Sequence, residues 1–278
     1  MKALYFALLT VLAAARPGMP TVAQVAPRTA TDSIYVPILV YHGVFPHHPG
    51  QTPDQIQYDV APENFATQMT YLRDNGYHVI SLLSYVDALI KGTPVAPKSV
   101  VITLDDGQKS VYVHAFPVLR KLGFTATFFI YPSAMESGKP EFMRWEEVRD
   151  LQKGGMDIGS HAYDHPYLNK LTDPKTLNME IVRSKATLEK QLGVPIDLFA
   201  YPFGAHKAPR DDSLVKAAGY KAARGFPGGG WNSQATLFAM RSFMITDNMN
   251  AFKRDLDPPA SRSAGRGARQ SLRFGVRE

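Results

Sequence analysis

With 278 residues, 45% of them hydrophobic, the chain can bury one sizeable core and is too apolar for wholesale disorder. Cysteine is absent, which excludes disulfides, thiolate metal sites and a cysteine nucleophile. The net charge of +6 is uneven: residues 252–278 hold seven Lys/Arg against three Asp/Glu, and no basic stripe interleaved with aromatics occurs elsewhere, so a nucleic-acid partner is not expected.

In chain order, Lys2 is followed by an apolar run over residues 3–15 that ends in Ala13, Ala14 and Ala15. That layout reads as a secretory signal peptide, with residues 1–26 forming the leader and the start of a linker. The run is shorter than the roughly 20 residues that span a bilayer, so no membrane span is expected after cleavage, and the destination is secreted or periplasmic. Residues 33–250 read as one catalytic domain. Within it, β-rich runs at 34–41, 100–104, 126–130, 156–160, 198–201 and 220–223 alternate with helical patterns at 62–75, 81–91, 111–122, 144–153, 173–192 and 211–218. Gly76, Gly92, Gly123, Gly154, Gly193 and Gly219 stand where those helices should stop. Such alternation implies an α/β domain whose parallel sheet is covered by helices: a barrel, complete or incomplete, or a doubly wound open sheet. Residues 251–278 read as a basic, disordered tail.

Two segments concentrate chemistry. The run Val100-Val101-Ile102-Thr103-Leu104 ends in Asp105-Asp106-Gly107, and on a parallel sheet the loops after strand ends build the site. A turn at Gly107 can bring both carboxylates into one pocket, where a cation would relieve their repulsion. The run 156–160 ends in His161, with His165 four residues on, a spacing that lets both imidazoles face one ion in a tight turn. Two His and one Asp make a ligand set open to water, and the second Asp is left as a base.

Thr103-Leu104-Asp105-Asp106-Gly107 followed by His161-x3-His165 resembles the polysaccharide deacetylases, the NodB-like carbohydrate esterases, over roughly residues 38–248. The resemblance implies a distorted (β/α)7 barrel in a single domain and a divalent metal, zinc first, with cobalt, nickel or iron as alternatives. It makes Asp105 the general base and Asp106, His161 and His165 the metal ligands. Val40-Tyr41-His42, the stretch Pro62-Glu63-Asn64-Phe65 and Asn75-Gly76-Tyr77 look like the branch acting on poly-β-1,6-N-acetylglucosamine in biofilm matrices. In that branch the motif order is circularly permuted and the Tyr-His histidine is the general acid, which here is His42. The more usual acid lies in a Leu-x-His near the C-terminus, but no histidine follows His206. His47 and His48 read as exposed loop residues.

Phe199-Ala200-Tyr201-Pro202-Phe203-Gly204 looks like the family's third motif, with Ala200 where an Arg commonly orients the base. Tyr201, Pro202 and Phe203 are expected to shape the substrate groove, with the Tyr201 N–H as a candidate oxyanion donor. The fourth motif has no clear counterpart. Trp231 is expected to line the groove, and Arg241 to orient Asp105. The implied partner is an acetylated polysaccharide, with a polymer export system as a further contact. The rivals are an O-acetyl esterase on a xylan-type polymer and a carbohydrate-binding member that has lost catalysis.

Overall fold

The computed structural model describes residues 32–52 and 56–259. The proposed leader and most of the proposed tail lie outside the described residues. Eight strands, all paired in parallel, make one sheet: β1 (Ile38–Tyr41), β2 (His78–Val79), β3 (Ser99–Leu104), β4 (Thr127–Ile130), β5 (Asp157–Ser160), β6 (Leu198–Ala200), β7 (Ala222–Arg224) and β8 (Phe243–Met244). Their spatial order is β7-β6-β5-β4-β3-β1-β8, with β2 paired to the start of β3. The sheet curls into an incomplete barrel in which a bridge from Arg224 to Met240 ties the β7 edge to the segment leading into β8. This is the distorted (β/α) barrel expected, in one domain.

The strands that read as continuous apolar runs are buried on both faces, as strands between helices and a barrel interior must be. Leu39, Tyr41, Ile102, Leu104, Phe128, Ile130 and Phe199 join one hydrophobic cluster with the surrounding helices. Their neighbours in the alternation, Ile38, Val101, Phe129, Leu198, Ala200 and Ala222, form a second cluster with Met240. The helix Leu82–Lys91 contributes Leu82, Tyr85, Val86 and Leu89 to that second cluster. It is capped by the Ser81 side chain and, as expected from the sequence, ends at Gly92, in the left-handed region (φ 66°).

Three expectations are corrected. The run 34–41 is two strands, because Pro37 lacks an N–H for the ladder. Ile34–Tyr35 pairs instead with Trp231–Asn232. The pattern over 173–192 is not one regular helix: a short helix (Pro174–Asn178) passes through a π turn (Met179–Arg183) into a regular one (Ser184–Leu192). The fold also does not end at residue 250. Helix Met249–Leu256 is capped by Asn248, whose side chain accepts from the N–H groups of Asn250 and Ala251, and it buries Phe252 and Leu256. Lys253 and Arg254 therefore belong to the last turn of a helix rather than to a tail.

Candidate active site

The site is assembled where strand ends meet. The parallel register pairs Tyr41 with Leu104, so His42 and Asp105 leave neighbouring strands side by side, and the Asp105 N–H donates to the Tyr41 carbonyl at 2.9 Å. After Asp105 the chain turns at once, with Asp106 at φ 72° and Gly107 at φ 73°. Side chains at successive strand positions alternate faces, and this left-handed turn cancels the alternation. A residue other than glycine at Gly107 would also meet Met135, whose Cε lies 2.7 Å from an added Cβ.

β5 delivers the histidines. The His161 N–H continues the ladder to the Ile130 carbonyl at 2.9 Å. Ala162 (φ 62°) and His165 (φ 59°) then fold the loop back, bringing the two imidazole centroids to 4.7 Å. His165 Nε2 lies 3.3 Å and His161 Nε2 3.6 Å from Asp106 Oδ1. The second nitrogen of His161, Nδ1, lies 2.8 Å from the Ala200 carbonyl. A carbonyl can only accept, so Nδ1 carries the hydrogen and Nε2 keeps its lone pair free.

Burial pushes the His161 imidazole down to about 4, so it is neutral at pH 7. Burial also raises the Asp106 carboxyl. The close approach of His165 and the fields of His161 and His42 outweigh it and hold Asp106 well below the usual carboxylate range. One ligand atom each from Asp106, His161 and His165 lies within 4.8 Å of the others, and Asp106 Oδ1 is buried without a hydrogen-bond partner. Two imidazoles and a carboxylate with an unfilled acceptor fit a divalent cation.

Asp105 is fully buried and its Oδ2 is paired with Nη2 of Arg224, itself fully buried. Asp105 Oδ1 has no partner. Arg224, the last residue of β7, lies over Phe129 (5.3 Å) and Phe226 (4.8 Å). Phe129 finds its room opposite Gly159, where an added Cβ would come within 2.4 Å of the ring. Arg224 holds Asp105 as an arginine at the Ala200 position was expected to, and the sequence reading did not find it. The available signal was its place at a strand end, one residue beyond the run assigned to 220–223. Arg241 does not reach Asp105, because its Nη1 donates to the Gly228 carbonyl at 3.2 Å.

His42 faces the same site. Its ring stands 6.1 Å from Phe226 and 5.7 Å from Tyr58, its Nδ1 is buried without a partner, and its field helps to lower Asp106. Phe203 is exposed and packs on His165 (4.6 Å) and on Tyr167 (3.9 Å, nearly parallel), with Pro202 buried beside it. His48 is exposed as expected, but His47 is held at 3.2 Å by Asp247.

Two groove assignments fail. Tyr201 is fully buried, its hydroxyl donating toward Asp212 (3.0 Å) and the Phe238 carbonyl (3.1 Å). Its N–H donates to the Arg224 carbonyl at 3.0 Å, so it is no oxyanion donor either. Trp231 pairs with Tyr35, which precedes β1, whereas the site lies beyond the other end of that strand. Its ring packs on Tyr35 at 5.4 Å.

A barrel of parallel strands with a buried carboxylate–arginine pair beside an Asp/His/His set able to hold a metal ion is consistent with a hydrolase. Residues 92–223 match the polysaccharide deacetylase family model. That stretch of the chain is similar to a polysaccharide deacetylase domain. YxkH of Bacillus subtilis (strain 168) is 27% identical over 218 residues, covering 77% of this chain and 73% of that protein. The poly-beta-1,6-N-acetyl-D-glucosamine N-deacetylase of Staphylococcus aureus (strain MRSA252) is 26% identical over 179 residues, 59% of this chain and 60% of its own length. Among solved structures, the Streptococcus pyogenes deacetylase PplD in complex with acetate superposes with a TM-score of 0.76 at 26% identity, covering 82% of this chain and 100% of that one. Among the described residues no helix is long and apolar enough to cross a membrane.

Proposed function

We propose that the protein hydrolyses N-acetyl groups of a glucosamine-containing polysaccharide, poly-β-1,6-N-acetylglucosamine or a relative of it, outside the cytoplasm. The observation that carries the reading is Asp105: one carboxylate oxygen is held by Arg224, the other is unpartnered, and the Asp106–His161–His165 set lies alongside. The polymer assignment is supported by the likeness to the staphylococcal deacetylase.

Asp106, His161 and His165 would hold the divalent cation, zinc in the first instance, with cobalt, nickel or iron as alternatives. When bound, it supplies Lewis-acid polarisation of the acetyl carbonyl and acidifies a water. Asp105, through its free Oδ1, takes the proton from the attacking water, and Arg224 keeps the carboxylate in place. His42, beside Asp105 in the register, gives a proton to the departing amine nitrogen. Phe203 borders the entrance on the His165 side. Acetate and a free amine leave, and no covalent enzyme intermediate is required.

The test is acetate release from partially acetylated β-1,6-glucosamine oligomers, with added zinc, cobalt or nickel and a chelator control. Metal-dependent release, lost in Asp105→Asn and His42→Ala, is the expected result. Release only from O-acetylated xylan or from chitin oligomers would retain the chemistry and refute the polymer. Metal binding with no release from any polymer would refute the enzyme reading in favour of a binding protein.

A further inference from the structure

The His161-x3-His165 loop is gripped from outside by the helix that follows it. Glu180 is 2% exposed, and its Oε2 accepts from the N–H groups of Tyr163 and Asp164, each at 2.9 Å. Ser184, fully buried, donates to the Ala162 carbonyl at 2.7 Å and lies 2.7 Å from the Ser160 hydroxyl. The Ala162 carbonyl and the Tyr163 N–H belong to one peptide unit, so both poles of that unit are held. Ala162 and His165 on either side have positive φ, a conformation that non-glycine residues adopt at a cost and keep only where surrounding contacts impose it.

Both holding residues depend on an irregularity. Glu180 lies in the π turn Met179–Arg183, and Ser184 opens the regular helix that follows. A π turn inserts one extra residue per turn and re-aims the side chains beyond it, a device that recurs beside functional sites. Arg183, from the same turn, lies over the Tyr163 ring at 4.0 Å and donates to its hydroxyl at 2.7 Å.

We infer that Glu180, assisted by Ser184, is a positioning residue that sets the separation of His161 and His165 and so determines metal affinity, a role that rests on the reading of these histidines as metal ligands. The group acts as a hydrogen-bond acceptor for two peptide N–H groups, not as a ligand. Outer partners that orient metal ligands are typically worth about 10- to 100-fold in affinity.

The experiment is a Zn²⁺ titration of the full chain against a chromophoric chelator, beside thermal melting of the metal-free protein. Glu180→Ala should weaken Zn²⁺ binding about 10- to 100-fold. Glu180→Gln, which keeps an acceptor oxygen, should restore affinity to within about threefold of the original, far inside that range. Native affinity in a folded Glu180→Ala overturns the inference, and so does a Glu180→Gln variant as weak as Glu180→Ala, which would assign the effect to charge. Should Glu180→Ala fail to fold, Ser184→Ala decides: several-fold weaker binding supports the clamp, and unchanged binding overturns it. An original chain that binds no Zn²⁺ would instead sink the ligand reading itself.

Discussion

Replacing Arg224 by Met tests the internal logic of the site without reference to any substrate. The guanidinium and the Asp105 carboxylate are both fully buried and paired, so removing the cation leaves an anion in a low-dielectric interior. Breaking one side of a buried pair typically costs about 3–5 kcal/mol. Nε and Nη1 of Arg224 have no partners, so deleting them returns a small part of that cost. Met fills most of the volume between Phe129 and Phe226, which limits any cavity contribution. For a domain of this size the loss corresponds to about 6–20 °C in melting temperature. Urea unfolding in the presence of chelator measures it, because a cation on Asp106 and its neighbours would otherwise compensate the orphaned charge. Arg224→Met combined with Asp105→Asn removes both charges and should recover most of the loss. A single variant within about 1 kcal/mol of the original, or a double variant no more stable than the single, would refute the pairing as the reason for Arg224.

Three further outcomes follow from the same geometry. Burial holds His161 at about 4 in the folded chain against 6.5 in the unfolded one, so the unfolded state binds the extra proton in that interval. The chelated protein should therefore lose stability as pH falls from about 6.5 to 4, and His161→Asn should flatten that slope in urea midpoints taken across the interval. Protonation of the depressed Asp106 carboxyl adds a further loss, of the same sign, below the ordinary carboxylate range. Tyr201→Phe removes a buried hydroxyl bonded to Asp212 and to Phe238, and should cost about 1–2 kcal/mol in urea unfolding while leaving acetate-release KM unchanged. Gly159→Ala drives a methyl into the Phe129 ring that supports Arg224, and overpacking of this kind costs about 1–3 kcal/mol, read as a lower denaturation midpoint.

Much of the architecture was legible in the sequence, because local rules and the tertiary fold agree along most of the chain. Apolar runs became the strands of a parallel sheet, and Gly92, Gly123 and Gly193 end their helices with left-handed caps. The acid pair and the histidine pair were visible because each follows a strand, and parallel strands deliver their ends to one face of the sheet. The two-residue strands β2 and β8 were not legible, since pairing rather than pattern creates them. Helix Met249–Leu256 had a signal in Asn248 as cap with Phe252 and Leu256 four apart, but its basic last turn merged with the charge of the segment beyond.

What the sequence alone determined, then, is the set of groups able to do chemistry: residue type and position relative to a strand end decide whether a carboxylate or imidazole can enter the site. Which residues meet was decided by the tertiary structure. Asp105 and Arg224 are 119 residues apart, and only the curl of the sheet brings β3 and β7 close enough for them to pair. The same curl buries Tyr201, although its motif places it beside the groove, and carries Trp231 to the opposite end of the barrel. Barrel closure is a property of all eight strands together, and no window of sequence contains it.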